Sequence, residues 1–278
     1  MVADRESCMK RLRIAAVGDN CIDKFLPPLG EALVGGNAVN VAVQLSKLGH
    51  NAFYFGAVGP DVDGERTRAA LIENGVGVAH IQDRPGKTAH TDIEVQPSGE
   101  RVFLFEDFGV CAGYRPSDAD LAVLKAMDHV HIGWLDDGGA LRRALASSGV
   151  SVSQDISVNA DPANLGIEGL AIAFGSVGED DAASEAMIDR FLSAGVRVAV
   201  VTRGAKGSVA ATLEERAETG IRHVDVVDTT GAGDSFIAGF LSVHIAGGSL
   251  QEAVEAGRDR AALACSHVGG FPQAPTAL

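Results

Sequence analysis

The chain has 278 residues, of which 46% are hydrophobic and 22% charged, and its formal net charge is −14. This composition predicts a globular protein with a large core, and 34 glycines beside only 5% aromatic residues favour an α/β fold over an all-β sandwich. So acidic a surface argues against a nucleic acid or an anionic membrane as partner, while a small anion needs only a local pocket.

The cysteines and the apolar segments indicate the compartment. The four cysteines include no CxxC pair, which argues against a zinc ribbon or a thioredoxin-like site. The first residues, before about Arg11, are polar, lack the apolar core of a signal peptide and are expected to be disordered. The longest apolar stretch, residues 236–248, is too short to span a bilayer. We therefore predict a cytoplasmic protein with free thiols.

The first half of the chain predicts a strand–helix–strand unit. Residues 13–18 (RIAAVG) form an apolar run that ends in glycine, as in a buried strand. Residues 24–34 contain two prolines and are predicted to be irregular. Residues 35–49 (GGNAVNVAVQLSKLG) combine a glycine turn with apolar residues at helical spacing, and residues 52–59 predict a second strand. Such a unit implies a parallel sheet.

The middle of the chain interrupts this pattern. Residues 90–106 alternate polar and apolar side chains around a Pro-Ser-Gly turn, which predicts an antiparallel hairpin and an accessory flap. Strand candidates then return at residues 129–134, 150–156, 170–176 and 196–202, with helical stretches between them. The whole is predicted to be one α/β layer structure with a small β excursion.

Three familiar motifs are missing. The GKT at residues 86–88 lacks the upstream glycine of a P-loop, no GxGxxG follows a strand, and there is no GxSxG elbow.

The densest chemical pattern is VVDTTGAGDSFIAGFL, residues 226–241. We predict a short strand that ends in Asp228, then a small-residue turn and an apolar helix. The N–H groups of Gly231, Ala232 and Gly233 can converge on an anion at the helix N-terminus. Asp234, in the first helical turn, fits a base that takes a proton from an attacking hydroxyl. The alternative is that Asp234 only caps the helix.

Two weaker patterns lie near the N-terminus. Gly35 and Gly36 precede a helix that carries Asn37 and Asn40, whose amides can read hydroxyl groups, or they form a plain turn and cap. The run GDNCID, residues 18–23, places polar side chains where α/β proteins bind ligands, at the carboxyl end of a strand, or is an ordinary polar loop. Its candidate ligand-binding residues are Asp19, Asn20 and Asp23.

The run TRGAKG, residues 202–207, also follows a predicted strand. Its glycines can shape a nucleotide phosphate pocket, or they form a β-turn.

Together these patterns resemble the ribokinase-like, or PfkB, carbohydrate kinases along nearly the whole chain. DTTGAGD is similar to the carboxy-terminal signature of that family and GGNAVNVAVQLSKLG to its amino-terminal one. GPDVDGE, residues 59–65, matches its G-x-D-x-x-G segment, and TRGAKG matches its T-x-G-x-x-G nucleotide loop. Within the family, GDNCID and GGNAVNVAV are most similar to the fructoselysine 6-kinases, with Val34 in place of a serine. In SVGED, residues 176–180, Ser176 replaces the asparagine of the usual N-x-x-E segment and Glu179 keeps the acid.

The resemblance implies a three-layer αβα sandwich with a mostly parallel sheet and a small β-sheet lid. The α/β core would comprise residues 11–23, 35–83 and 111–278, and the lid residues 24–34 and 84–110. The apolar face of the lid would cover the substrate or the lid of a second subunit, the latter giving a homodimer.

The resemblance also implies ATP-dependent phosphorylation of a sugar hydroxyl, with fructosamines such as fructoselysine as substrates and the 6-hydroxyl as acceptor. Asp234 would be the base, and the N–H groups of Gly231, Ala232 and Gly233 would hold the transferring phosphoryl group. The resemblance further implies that the substrate is bound by Asp23, Gly35, Gly36, Asn40 and, more weakly, Asp19 and Asn20. It implies that the nucleotide is bound by Thr202, Gly204 and Gly207. Mg²⁺ would bind at Glu179, and a monovalent cation such as K⁺ would bind near Asp228 and Thr230.

Two alternatives stay open from the sequence. One is a kinase of the same family for another small substrate, such as ribose, fructose, 2-keto-3-deoxygluconate or adenosine. The other is a non-catalytic sugar- or nucleotide-binding regulator, which the intact DTTGAGD disfavours.

Overall fold

A computed structural model describes residues 10–96 and 101–278. The polar residues 1–9 and the predicted Pro-Ser-Gly turn at residues 97–99 lie outside the described residues. Among the described helices, none is long and apolar enough to cross a membrane.

Strands and helices alternate along most of the chain. The strands are β1 (Arg13–Val17), β2 (Cys21–Phe25), β3 (Glu31–Gly35), β4 (Asn51–Val58), β5 (Gly77–Asp83), β6 (His90–Val95), β7 (Arg101–Asp107), β8 (His129–Ile132), β9 (Val152–Asp155), β10 (Ile172–Ser176), β11 (Val198–Thr202), β12 (Ser208–Ala211), β13 (Arg216–Thr219) and β14 (Thr276–Ala277). The helices are α1 (Asn37–Lys47), α2 (Val62–Glu73), α3 (Asp118–Leu124), α4 (Ala140–Ala146), α5 (Asp181–Ser193), α6 (Ala232–His244) and α7 (Leu250–Ala264).

The main sheet has nine strands in the order β13-β12-β11-β10-β9-β8-β1-β4-β5. All neighbours from β11 to β5 run parallel, and only β12 and β13 are antiparallel. Successive side chains of β1 enter opposite cores: Ile14 and Ala16 pack with α1, α6 and α7, while Ala15 and Val17 pack with residues of α3, α4 and α5. These two cores make the molecule an αβα sandwich, as the sequence predicts.

The strand order reverses beside β1. The chain builds β4 and β5 on one side of β1, and later adds β8, β9, β10 and β11 on the other. In open α/β sheets, ligands bind at the carboxyl ends of the strands at such a switch point. The topology therefore directs attention to the loops after β1, β8 and β9.

A second, five-stranded sheet has the order β14-β3-β2-β6-β7. Its β6–β7 pair is the predicted antiparallel hairpin, with a bulge between Asp92 and Ile93. Residues 24–34, predicted to be irregular, instead contribute to β2 and β3, with only residues 26–30 between them. The two prolines that suggested irregular chain, Pro27 and Pro28, lie in that turn. We call this five-stranded sheet the lid sheet.

A carboxylate fixes one of the connections between the main body and the lid sheet. Asp61, the N-cap of α2, accepts hydrogen bonds from the N–H of Gly64 and from both the N–H and the hydroxyl of Thr88. Thr88 precedes β6, so the carboxylate fixes the point at which the chain enters the lid. Asp61 of the G-x-D-x-x-G segment therefore has a structural role, and its hydrogen-bond partner Thr88 belongs to the GKT run.

Candidate active site

Two polar residues that follow β1 support the architecture of the site. Asp19 accepts hydrogen bonds from the N–H groups of Asn37 (2.9 Å) and Ala38 (3.2 Å), so its carboxylate caps α1. Burial raises its pKa to about 6. Asn20 is buried, and its amide donates to the Tyr54 hydroxyl and the Ala57 carbonyl. Both weaker sugar-binding candidates are thus engaged within the protein.

Asp234 lies in the first turn of α6 and meets the start of α1. The side-chain amide of Asn37 donates to Asp234 Oδ1 at 2.5 Å, and that of Asn40 donates to Oδ2 at 2.7 Å. Burial and the neighbouring carboxylates of Asp155 and Asp19 raise the pKa of Asp234 to about 8, although the two amide hydrogen bonds act in the opposite direction. A carboxylate held in place with a pKa near neutrality has the properties of a general base.

Asp155, at the end of β9, completes this cluster. The Asn37 amide that contacts Asp234 also approaches Asp155 Oδ2 at 3.3 Å, and Ser157 donates to Asp155 Oδ1 through its N–H and its hydroxyl. Burial raises the pKa of Asp155 as well. The sequence motifs do not single out Asp155, although its position at the carboxyl end of a predicted strand is a signal that could identify it.

The turn before α6 differs from its prediction in two respects. Residues 221–228 contain no strand, so the predicted short strand ending in Asp228 is wrong. The Ala232 N–H donates to the Thr229 carbonyl at 3.1 Å, so this predicted phosphoryl donor is already engaged. Gly231 forms the N-cap with φ of 73°, and a Cβ there would lie 2.5 Å from the Gly270 Cα. Glycine is therefore required by both backbone conformation and space.

Asp228 stabilises this turn through hydrogen bonds to its backbone and side chains. Its Oδ1 accepts from the N–H and the hydroxyl of Thr230, and its Oδ2 accepts from the Gly269 N–H at 2.7 Å. The carboxylate thereby links the turn before α6 to the segment after α7, where Gly270 contacts Asn40 and Gly231.

The predicted sugar-binding residues of the lid sheet lie where it meets α1. Asp23 is half-buried on β2, and a Cβ on Gly35 would lie 3.0 Å from Asp23 Oδ2. Gly36 is the N-cap of α1 with φ of 104°, and a Cβ there would clash with the backbone of Asn20. Gly35 thus leaves the space in front of Asp23 open, and Gly36 allows the sharp entry into α1.

A cleft of about 650 Å³ opens beside the turn and α6. Thr202, Gly204 and Gly207 line it, as does Gly233 on the turn. The rest of the wall is largely apolar and includes Ile221, Val224, Val226, Phe236 and Ala262. A cleft of this size, with largely apolar walls and glycines in its lining, suits a nucleotide with a flat base and a phosphate tail.

Glu179 lies exposed near this cleft, and a Cβ on Gly204 would lie 3.6 Å from its Cγ. The described residues contain no cluster of three or more His, Cys, Asp or Glu side chains that could hold a metal ion. Ser176, in place of the family's asparagine, also lines the cleft.

The chain matches known proteins along most of its length. The model of the pfkB family of carbohydrate kinases matches residues 29–277. The fructoselysine 6-kinase of Escherichia coli is 33% identical over 260 residues, which is 93% of this chain and 99% of that protein. The fructosamine kinase FrlD of Bacillus subtilis is 28% identical over 269 residues, covering 94% and 93% of the two chains. Among solved structures, Arabidopsis thaliana ribokinase complexed with ribose and ATP superposes with a TM-score of 0.83 at 23% identity, covering 94% of each chain.

Proposed function

We propose that this chain, which belongs to the pfkB family of carbohydrate kinases, transfers the γ-phosphoryl group of ATP to the 6-hydroxyl of a fructosamine such as fructoselysine. As a family member, it is a phosphotransferase that acts on a sugar hydroxyl. The narrower substrate is supported by the 33% identity to a fructoselysine 6-kinase along almost the whole of both chains.

The observation that carries the proposal is the position of Asp234. Its carboxylate is held by two amides of α1, the helix that follows lid strand β3, and it lies in the first turn of α6, whose start lines the nucleotide-sized cleft. In the proposed reaction Asp234 takes the proton of the sugar O6–H group. The oxygen forms a bond to the γ-phosphorus while the bond from that phosphorus to the β–γ bridging oxygen breaks, and ADP leaves. Asp234 then returns its proton to solvent.

The loops around the cleft would bind the nucleotide and the sugar. Thr202, Gly204 and Gly207, which line the cleft, would contact the nucleotide, and the backbone N–H groups of Gly231 and Gly233 would bind its phosphates at the positive end of the α6 dipole. Asp23 and Asn40 would bind sugar hydroxyls, with Gly35 leaving room beside Asp23 and Gly36 setting the start of α1. The proposal retains the predicted division into a core and a lid of residues 24–34 and 84–110, with the lid above the sugar.

Glu179 fits the requirements of Mg²⁺. This ion keeps several waters and usually takes one or two carboxylates plus substrate phosphates, so a single exposed carboxylate near the cleft is sufficient. When bound, Mg²⁺ neutralises charge that develops on the phosphates. The proposed K⁺ near Asp228 and Thr230 would further stabilise the turn before α6.

A coupled assay of ADP release tests the substrate. We expect fructoselysine to be turned over with a kcat/KM at least about 10² above that of ribose, fructose, adenosine and 2-keto-3-deoxygluconate, because a site built to pair a substrate's polar groups rejects compounds that lack them. Turnover of one of those four compounds in preference to every fructosamine would overturn the substrate assignment.

A further inference from the structure

A second cleft, of about 530 Å³, lies against the lid sheet. Phe25, Leu29, Leu33 and Val95 form its lid side, and residues 267–275, which follow α7, form the opposite wall. We call it the lid pocket. It lies outside the nucleotide cleft and shares no lining residue with it.

The lid pocket continues the face of the lid sheet that carries Asp23. Asp23 and Leu33 are directly paired across β2 and β3, and residues opposite each other in a sheet project from the same face. Phe25 projects from this face two residues farther along β2, about 6.6 Å at ~3.3 Å per residue. Because β2 leaves the main body at Cys21, Phe25 is farther from the body than Asp23 is.

We propose that the lid pocket binds the substituent on the C1 nitrogen of the substrate, an aliphatic stem that ends in an ammonium group. This inference rests on the proposed function. With O6 at Asp234, the aminated C1 is at the opposite end of the sugar, so its substituent points outward past Asp23. The lid pocket is the cleft that begins there.

The lining of the lid pocket matches such a stem. Phe25 and Leu33 supply a buried apolar floor, each 5% exposed. Leu29 and Val268, at 49% and 43% exposed, leave apolar surface that methylene groups can cover. Glu31 lies directly opposite Phe25 in register and lines the pocket with a carboxylate, which complements an ammonium group at the end of the stem.

The far wall of the lid pocket is fixed before a substrate binds. The Gln273 side chain accepts from the Val34 N–H and donates to the Val34 carbonyl, both at 2.8 Å, so it extends the hydrogen bonding of β3 as a neighbouring strand would. A pocket that is already ordered loses less conformational freedom on binding. This makes it suited to selecting between stems of different length.

Three synthetic substrates separate the contributions of the stem and of its charge. These are the C1 adducts of fructose with methylamine, with pentylamine and with 1,5-diaminopentane, assayed for kcat/KM by ADP release. We expect the pentyl adduct to exceed the methyl adduct about 16-fold, since each of its four additional, partly buried methylenes contributes about twofold. The aminopentyl adduct should exceed the pentyl adduct about threefold, because its terminal ammonium pairs with Glu31.

Two variants test whether these differences in kcat/KM arise in the lid pocket. Val268→Trp fills the pocket and should bring the pentyl-to-methyl ratio close to one. Glu31→Gln should abolish the advantage of the aminopentyl adduct over the pentyl adduct and leave the pentyl-to-methyl ratio as it was. Leu213→Trp, at an 85% exposed position between β12 and β13, is the matched control and should change neither ratio.

The outcomes are distinguishable. Turnover of all three adducts with ratios near one overturns the lid pocket but leaves the proposed function standing. Turnover of plain sugars and of no adduct overturns the proposed function. A dimer by light scattering that Val268→Trp converts to monomer, with unchanged ratios, would assign the pocket to a second copy of the chain and also overturn the inference.

Discussion

At the scale of single residues, the site depends on Asp234. Replacing it by Asn keeps the side-chain shape but removes the proton acceptor, so we expect kcat to fall by about 10²–10⁴. The fold should tolerate the change, because Asn40 has an amide oxygen without a partner and can turn it toward the new side chain. The measurements are kcat and the melting temperature of the same preparation.

The matched control for this variant is Glu252→Gln. Glu252 is the third residue of α7, as Asp234 is of α6, so both changes remove a negative charge from the first turn of a helix. Glu252→Gln should leave kcat unchanged. If Asp234→Asn keeps more than about a tenth of the wild-type kcat, outside the range for a lost base, then Asp234 only caps α6.

The second prediction for single residues concerns the effect of Asp155 on the pKa of Asp234. Asp155 and Asp19 are the charged groups that face Asp234, and Asn37 and Asn40 face it as neutral donors. The kcat/KM should rise with pH as Asp234 ionises. Asp155→Asn removes a repelling charge, which lowers the pKa of Asp234 and moves that rise to lower pH. Asn37→Ala removes a donor to the carboxylate and should move the rise to higher pH.

A merely structural role for Asp155 predicts something different. Both variants would then lower kcat/KM at every pH without moving the midpoint of the profile. Profiles recorded from pH 5 to 10 distinguish the two cases, and midpoints that both stay at the wild-type value contradict the electrostatic role.

At the scale of elements, the turn before α6 sets the geometry of the site. Gly231→Ala combines a left-handed residue, which costs roughly 1–2 kcal/mol, with a Cβ that meets the Gly270 backbone at 2.5 Å. We expect the turn to shift and Asp234 to shift with it, which lowers kcat by about 10² or more because small misplacements of reacting groups have large effects.

Gly195→Ala is the control for backbone strain alone. Gly195 has φ of 87° after α5, and a Cβ there meets nothing within 4 Å. It should lower the free energy of unfolding by about 1 kcal/mol and leave kcat unchanged. Equal kcat for the two variants would show that the close approach of Gly231 to Gly270 does not matter for catalysis.

Elements were predictable from the sequence where local pattern determines them. The strands β1, β4 and β8 to β11 are mostly buried on both faces, and β1, β4, β10 and β11 are apolar runs in the sequence. The apolar residues of α1 recur at helical spacing. The local pattern did not reveal the hairpin of β2 and β3, because two prolines dominate the turn between them and because the outer partners of the hairpin, β6 and β14, lie far along the chain. Before Asp228, Val226 and Val227 are exposed, and the N–H groups of Val227 and Asp228 both donate to the Cys265 carbonyl rather than to a neighbouring strand, which the local pattern cannot show.

At the scale of the whole molecule, the site is made by long-range contacts. Asp234 contacts Asn37 and Asn40 across nearly 200 residues, and Asp155 joins them from a third part of the chain. The sequence predicted Asp234 and Asn40 separately, through local motifs and a family resemblance. It could not show that Asn37 is shared between two carboxylates, because that depends on how the sheet brings the ends of β1 and β9 together.

The same cluster links catalysis to the stability of the whole fold. The pKa of Asp234 is raised to about 8 in the folded protein, against an unfolded value of about 3.9. Between these values the folded state holds a proton that the unfolded state has lost, so stability decreases as pH rises through this window. Asp19, with its pKa raised to about 6, acts in the same direction at lower pH. His129 and His131, whose pKa values burial lowers to about 3, act in the opposite direction below about pH 6.5.

Comparison of the wild type with Asp234→Asn isolates the carboxylate, because the histidines are common to both proteins. Above about pH 6.5 their contribution is constant, and the wild type should lose up to about 1.4 kcal/mol per pH unit until about pH 8. Asp234→Asn should lose less over the same range, so the difference in melting temperature should grow with pH and level off above about pH 8. A difference that is the same at pH 6 and pH 8.5 would show that the folded protein does not raise the pKa of Asp234, and the stability of the fold would then be independent of its base.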